Sequence, residues 1–459
     1  MGDYKINKLV VFIAIAMSII PIIVCVIAGI SLIYAFLLSL IFITLTALKN
    51  GMDLKYIKTI IREGVLECKS LYLVILLIGA TVSVWISSGV VPTMIYYGLT
   101  YLQNVNFLFA GFLMIAISAV FMGTAIGTVS TIGIAILGIG RGFNIPDYIL
   151  VGMIVSGAFM ADKISPISGL LNLTLTTTNT SYKETVKCSL KTMIPTILIC
   201  ALIYYMIGRN YINLDKDNIS FLLIKDIKQE FFISPYMLLL PIMIIILSIV
   251  GVKSIYCMVI GIIGGSILSI CFQNVSTLDL LNYMIFGYNI NSASEIINST
   301  LISGGVISMV SVVLIVIGAI SLGSMLQGME IISYLTKDII KTIKNKKDLI
   351  LKTSFISSIL TIVTCDQTIG IVIPSKLLKE KYDEIKVSRG MLARTISDTG
   401  VIIAPIMPWN VNALIITSVT GVSCLGYAPF SMLCFIFPIV TILSAYINIR
   451  KEEKSYYKQ

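Results

Sequence analysis

The chain has 459 residues, of which 57% are hydrophobic and only 12% charged, and its mean hydropathy is +0.98. A soluble domain carries about a quarter charged residues to cover its surface, so this composition excludes a soluble globular fold and sets most of the outer surface against lipid. The net charge of +10, from 33 Lys and Arg against 23 Asp and Glu, has no soluble basic fold to carry it; this excludes nucleic-acid binding and leaves the charged-loop bias of a membrane protein.

Apolar runs of about 20 residues recur along the chain, each long enough to cross the hydrocarbon core as a helix. Membrane barrel strands would alternate over about ten residues, and these runs do not alternate. The predicted fold is an all-α polytopic membrane protein with roughly 10–12 transmembrane helices plus re-entrant hairpins. Residues 1–70 read as an N-terminal helix pair and a basic segment. Its first apolar run, Leu9–Ala28, is too long for a signal peptide and passes almost directly into Ile30–Leu48, with a tight turn near Gly29. Residues 71–207 read as a first transport repeat, 208–231 as a mixed-charge linker, 232–449 as a second repeat and 450–459 as a basic tail.

Basic clusters at 49–69, 337–352, 376–394 and in the tail mark the cytoplasmic side, so both termini are expected there, in a bacterial cell (inner) membrane. Two of these clusters flank one apolar piece, Thr353–Ser375, with a polar centre, Thr364–Thr368 (TCDQT). Both ends of a single span cannot face the same side, and two full spans do not fit. A re-entrant hairpin with its polar tip held in protein does fit.

Both halves share a weak pattern. Gly123–Gly140 (GTAIGTVSTIGIAILGIG) is followed one helix later by Ala161–Ser168 (ADKISPIS), and Thr364–Lys379 by Ser397–Asn410 (SDTGVIIAPIMPWN). Each half thus has a polar break and then an Asp followed by Ser or Thr and Pro. Two inverted structural repeats with broken helices, the common architecture of secondary transporters, are expected.

The candidate chemistry sits at these breaks. Pro166 ends any helix that carries Asp162, and Ser165, Ser168 and Asn172 supply hydroxyl and amide oxygens nearby. Asp398, with Thr399, precedes Pro405, Pro408 and Asn410. Two prolines three apart free backbone carbonyls, which must line a protein cavity rather than lipid. An ionisable group at such depth is a functional candidate by default. Asp366 and Gln367 occupy the expected hairpin tip, and Thr124 and Thr128 lie in a glycine-rich segment that suits either site lining or close helix packing. Asp162, Asp366 and Asp398 are the expected sodium ligands, and Asp398→Asn is expected to stop coupled transport while leaving the fold largely intact. With no His in the chain, proton handling falls to carboxylates or lysines. The nine cysteines are scattered without a CxxC pair, and neither GxSxG nor HExxH occurs, so no enzyme is expected. The expected partners are sodium, protons, the bilayer, a small organic solute as an alternative cargo, and a second copy in a homodimer. No cofactor is expected beyond sodium and the proton as coupling ions.

At these residues the chain resembles the NhaC family of sodium/proton antiporters, within the ion transporter superfamily. The matching stretches are Trp85–Leu99, Gly123–Gly140, Ala161–Ser168 with Asn172, Ser303–Met309, Cys365–Tyr382, Ser397–Asn410 and Gly426–Phe430, in order over most of the chain. The resemblance implies a cell-membrane exchanger whose Asp-bearing breaks form the ion path, at Asp162, Asp366 and Asp398. It also exposes departures. Gly169, Leu170 and Leu171 stand where the family favours an acidic residue and threonines, Ser397 where Glu is common, and Cys365 where Gly usually precedes Asp-Gln. Two missing carboxylates weaken plain sodium/proton exchange and favour, as the alternative, sodium- or proton-coupled transport of a small organic anion or amino acid.

Overall fold

A backbone inside lipid must satisfy its own hydrogen bonds, and continuous helices do so within one segment. The computed structural model describes residues 8–211, 216–290 and 295–456, and these contain helices and no strands. The chain begins with α1 (Lys8–Ala28), α2 (Leu32–Lys49), α3 (Leu54–Glu67), α4 (Lys69–Ser87) and α5 (Val90–Tyr101). It continues through α6 (Phe107–Met122), α7 (Ala125–Thr128), α8 (Ile134–Gly142), α9 (Asp147–Ala158), α10 (Ala161–Ile164), α11 (Gly169–Thr178) and α12 (Tyr182–Arg209). The middle holds α13 (Lys216–Glu230), α14 (Leu239–Ile249), α15 (Ser254–Phe272), α16 (Thr277–Phe286) and α17 (Glu295–Thr300). The rest is α18 (Gly305–Gly328), α19 (Ile331–Lys341), α20 (Lys346–Thr364), α21 (Gln367–Glu384), α22 (Arg389–Ile396), α23 (Val411–Thr420), α24 (Cys424–Tyr427) and α25 (Met432–Tyr456).

Among the described residues eight helices are long and apolar enough to span a membrane, and up to eleven if each of three bent pairs counts as one span. This is a multi-pass membrane protein. Its outer helices show the lipid-facing stripe directly: Ile194, Leu198, Leu202 and Met206 on α12 are exposed at every fourth position. The turn between α1 and α2 falls at Gly29, whose φ is +66°, as expected. The mixed-charge stretch between the halves is largely the helix α13, with Ser220, Leu223 and Ile227 buried; residues 212–215 of that stretch, residues 1–7 and the tail beyond 456 lie outside the described residues.

The repeat is far sharper in the backbone than in the side chains. Left-handed Asn144 and Lys386 follow α8 and α21, and they are 386 − 144 = 242 positions apart. The same offset relates the left-handed pairs Gly123 and Cys365, and Asn179 and Gly421. It also relates the extended Thr124 and Asp366 that open the next helices, and the caps Ser168 and Asn410 that open α11 and α23. One residue out of that register, Gly89 after α4 matches Glu330 after α18. The copies run in opposite directions across the membrane. α4 starts from the basic stretch 49–69, whereas its counterpart α18 ends at the basic stretch 337–352. α12 starts with Lys183, Lys187 and Lys191, whereas α25 ends in Arg450 and Lys451.

α20 and α21 form the expected hairpin and turn at Cys365 and Asp366. Twelve residues separate Lys352 from the end of α20, a rise of about 18 Å. That is roughly half the 30 Å hydrocarbon core, so the tip lies near its middle while both arms return to the same basic end. α6 and α7–α8 form the matching hairpin in the first half, turning at Gly123 and Thr124.

Cys365 holds φ +61° at the tip, where the first half has Gly123 at +71°. A Cβ in the left-handed region costs about 1 kcal/mol. Cys365→Gly is expected to raise the unfolding midpoint in detergent and Cys365→Val to lower it. An unchanged midpoint for both would mean that the tip is not held in this conformation.

Candidate functional site

Each half breaks its central helix differently, and the two breaks meet. In the first half α9 ends at Ala158, α10 makes a single turn, and Ser165 is extended ahead of Pro166. In the second half α22 widens into a π-helix over Ser397–Val401, then narrows to a 3₁₀ turn at Ala404–Ile406 before an extended Met407. Pro405 has no N–H to continue the ladder. π-turns of this sort open the backbone and occur frequently at functional sites. Gly400 lets the π segment lie directly on α20: a Cβ there would sit 2.0 Å from Ser357 Oγ and 2.9 Å from its carbonyl oxygen.

Lys163, from α10, meets Asp398, from the π segment. Lys163 Nζ donates to Asp398 Oδ1 and, at 3.1 Å, to Ser397 Oγ. The other carboxylate oxygen, Oδ2, accepts from Thr192 Oγ1 at 2.8 Å and Thr441 Oγ1 at 2.7 Å. Arg394 Nε stands 3.8 Å from the same oxygen. Phe437 forms an apolar wall, its ring centre 4.7 Å from Lys163 Nζ. Lys163 and Asp398 have no exposed surface, and Arg394 is 1% exposed. The carboxylate is therefore gripped by two cations and two hydroxyls in a dry interior. Asp162, the neighbour of Lys163 in sequence, is also buried and accepts from Ser168 Oγ at 2.9 Å.

Asp366 lies apart from this cluster. It caps α21, its Oδ1 accepting from Thr368 N at 3.0 Å. The tip around it is clasped by the second break. Asn410 Nδ2 donates to the Cys365 carbonyl at 3.0 Å, Gln367 Nε2 to the Val401 carbonyl at 2.6 Å, and Asn412 Nδ2 to Gln367 Oε1 at 2.8 Å. The hairpin tip is thus bound to the backbone three residues beyond Asp398.

The remaining predicted residues divide. Ser165 is buried beside Lys163 in sequence, and its hydroxyl has no hydrogen-bond partner. Thr399 and Thr128 spend their hydroxyls on backbone carbonyls one turn back, Thr395 and Thr124. Asn172 is exposed and bonded to the Pro166 carbonyl, away from the cluster. Thr124 borders a separate cavity of about 20 Å³ beside Trp85. The expectation that the whole 376–394 cluster marks the cytoplasmic surface is corrected at Arg394. It lies one turn before Asp398 on the same helix, so the helical period turns it inward. Lys163, Arg394, Thr192 and Thr441 were not singled out as site residues. For Arg394 the (i, i+4) spacing was a usable signal; for the two threonines, on α12 and α25, there was none.

The sequence profile of the Na+/H+ antiporter family matches residues 157–449, which take in both breaks, the hairpin tip and Thr192 and Thr441. The chain belongs to this family. Among its relatives in the Na+/H+ antiporter family, the Na(+)/H(+) antiporter NhaC of Bacillus subtilis is 30% identical over 90% of this chain and 91% of its own. NhaC of Alkalihalophilus pseudofirmus is 29% identical over 82% and 81%. The malate-2H(+)/Na(+)-lactate antiporter of Bacillus subtilis is 28% identical over 88% and 86%.

The geometry replaces the expectation that Asp398→Asn leaves the fold largely intact. That change strands Lys163 and Arg394 together, whereas Lys163→Gln leaves Asp398 with Arg394 and two hydroxyls. Removing one partner of a buried pair costs about 3–5 kcal/mol. Asp398→Asn is expected to approach that cost and Lys163→Gln to cost clearly less, measured by unfolding of purified protein in detergent. Equal losses would argue against Arg394 as a second counter-ion.

Proposed function

We propose that this chain is a sodium/proton antiporter of a bacterial cell membrane, with both termini cytoplasmic, in which Asp398 is the ion site and Lys163 carries the proton. The observation that supports this most is the fully buried contact of Lys163 Nζ with Asp398 Oδ1, made between the two helix breaks. Protonated Lys163 neutralises Asp398 in one state. In the other, a sodium ion takes the carboxylate, with the hydroxyls of Thr192, Thr441 and Ser397 as further oxygen ligands. An ammonium left beside Arg394 and sodium without its carboxylate is costly in an apolar interior, so Lys163 releases its proton. Reversal expels sodium. Arg394 keeps Asp398 company in both states, and the pocket carries the same charge with either ligand, one sodium for one proton at this pair. In this reading Asp162, at the first break, and Asp366, at the hairpin tip, serve as further carboxylates along the ion path.

A second reading, coupled exchange of an organic acid or amino acid, has one structural feature in its favour. A cavity of about 320 Å³, lined in part by Arg141, Asp147, Ser303 and Ser418, opens at the end opposite the basic clusters. The relatives named for malate and lactate, and for arginine and ornithine in Halobacterium salinarum, fit that reading.

Proteoliposomes with an inward sodium gradient and a luminal pH dye separate the two. Sodium-driven alkalinisation of the lumen without added solute is expected, with loss of at least about tenfold in rate for Lys163→Gln, the equivalent of about 1.4 kcal/mol. Silence of the unaltered protein, together with uptake of labelled lactate, malate or arginine, would replace the first reading by the second.

A further inference from the structure

The junction between hairpin and broken helix is closed by a matching ion pair in each half. In the first, Arg141 Nε and Nη2 donate to Asp147 Oδ1 and Oδ2 at 2.9 and 2.8 Å. In the second, Arg389 Nε and Nη2 donate to Asp383 Oδ1 and Oδ2 at 3.1 and 2.6 Å. Positions 141 and 383, and 147 and 389, obey the 242-residue offset of the repeat, so the two forks occupy equivalent places. Their residues are exchanged: arginine precedes the left-handed turn in the first half and follows it in the second. A two-bond guanidinium–carboxylate fork fixes the relative orientation of the elements it joins.

The two forks lie at opposite ends of the molecule. Asp383–Arg389 sits within the basic end, and Arg141–Asp147 borders the cavity of about 320 Å³ at the other. With both forks made, Lys163 and Asp398 have no exposed surface.

The exchange of residues also makes the forks unequal. Helix dipoles favour cations at C-termini and anions at N-termini, by about 0.3–1 kcal/mol each near a surface. Arg141 ends α8 and Asp147 begins α9, so both dipoles support that fork. Asp383 ends α21 and Arg389 begins α22, so both dipoles oppose the other.

We propose that the two forks are the latches of alternating access, one per face. Breaking either admits water and ions to Asp398 from its own face only, and the Asp383–Arg389 latch at the basic end is the weaker. The inference rests on the carrier reading above, and its main test needs no ion flux, so the two can fail separately. Ser397→Cys, in a chain whose native cysteines are replaced, is exposed in oriented membrane vesicles to a charged, impermeant thiol reagent from one side at a time.

With intact latches, labelling is expected to be faster from the basic end. Arg389→Gln should speed it about fivefold from that end alone, and Arg141→Gln about fivefold from the opposite end alone, the size expected for a partly exposed ion pair. The double change Arg141→Asp with Asp147→Arg keeps a fork that both dipoles now oppose, so labelling from that end should be slower than for Arg141→Gln but faster than with the native fork. Equal acceleration from both ends, no acceleration, or a reversed pair that labels as fast as Arg141→Gln overturns the proposal. If the cysteine-replaced chain does not fold, apparent sodium affinity is measured at each face of the otherwise native chain. The two glutamine variants must then shift the ratio of affinities in opposite directions, and a shift in the same direction overturns the proposal.

Discussion

One buried contact organises this molecule: a lysine from the first half lies on an aspartate from the second, and neither has any exposed surface. Charges so placed are tolerated only when each is matched, and that requirement dictates much of what surrounds them. Two hydroxyls from the inner faces of α12 and α25, helices whose outer faces are exposed, reach the carboxylate. Arg394 supplies a second cation from the preceding turn. The two breaks must stay in register to within a bond length for this to hold, and the clasp of the hairpin tip by Val401, Asn410 and Asn412 keeps the second of them in place.

The inverted repeat explains why the pair joins the two halves. The position equivalent to Asp398 is 398 − 242 = 156, a serine bonded to Tyr204 at 2.7 Å. A carboxylate in both halves would set two like charges in one dry interior. One half instead provides the anion and the other the lysine, so the buried pair exists only where the halves touch. A change in how they touch is then a change in the site itself.

The departures noted in the sequence acquire physical meaning in this setting. Ser397, standing where the family commonly has Glu, accepts a bond from Lys163 Nζ, so a neutral hydroxyl takes a position where a carboxylate would compete with Asp398 for the lysine. Cys365, standing where Gly is usual, occupies a left-handed turn. Gly169, where the family favours an acid, lies on the exposed side of α11, away from the buried cluster, whereas Leu171, where it favours a threonine, is buried. The missing acid therefore removes no charge from the buried cluster.

Much of the fold was legible because lipid imposes one-dimensional rules. Spans follow from apolar length, ends follow from lysine and arginine, and the hairpin follows from two basic clusters too close together. Prolines and polar residues in apolar sequence located both breaks, because a broken ladder must face protein. The sequence by itself therefore determined that helices cross the membrane, where they break, and which aspartates lie at the breaks. Only the tertiary structure decided which groups meet there. Lys163 looked like a neighbour of Asp162 and proved to be the partner of Asp398, 235 positions away. Arg394 looked like part of a solvated loop and proved to be buried. Asp366, equal to the others on paper, caps a helix in a separate place. The reason is that burial of a charge is settled by three-dimensional pairing, which depends on how the two halves cross. Composition, periodicity and spacing within one stretch of chain carry no record of that crossing.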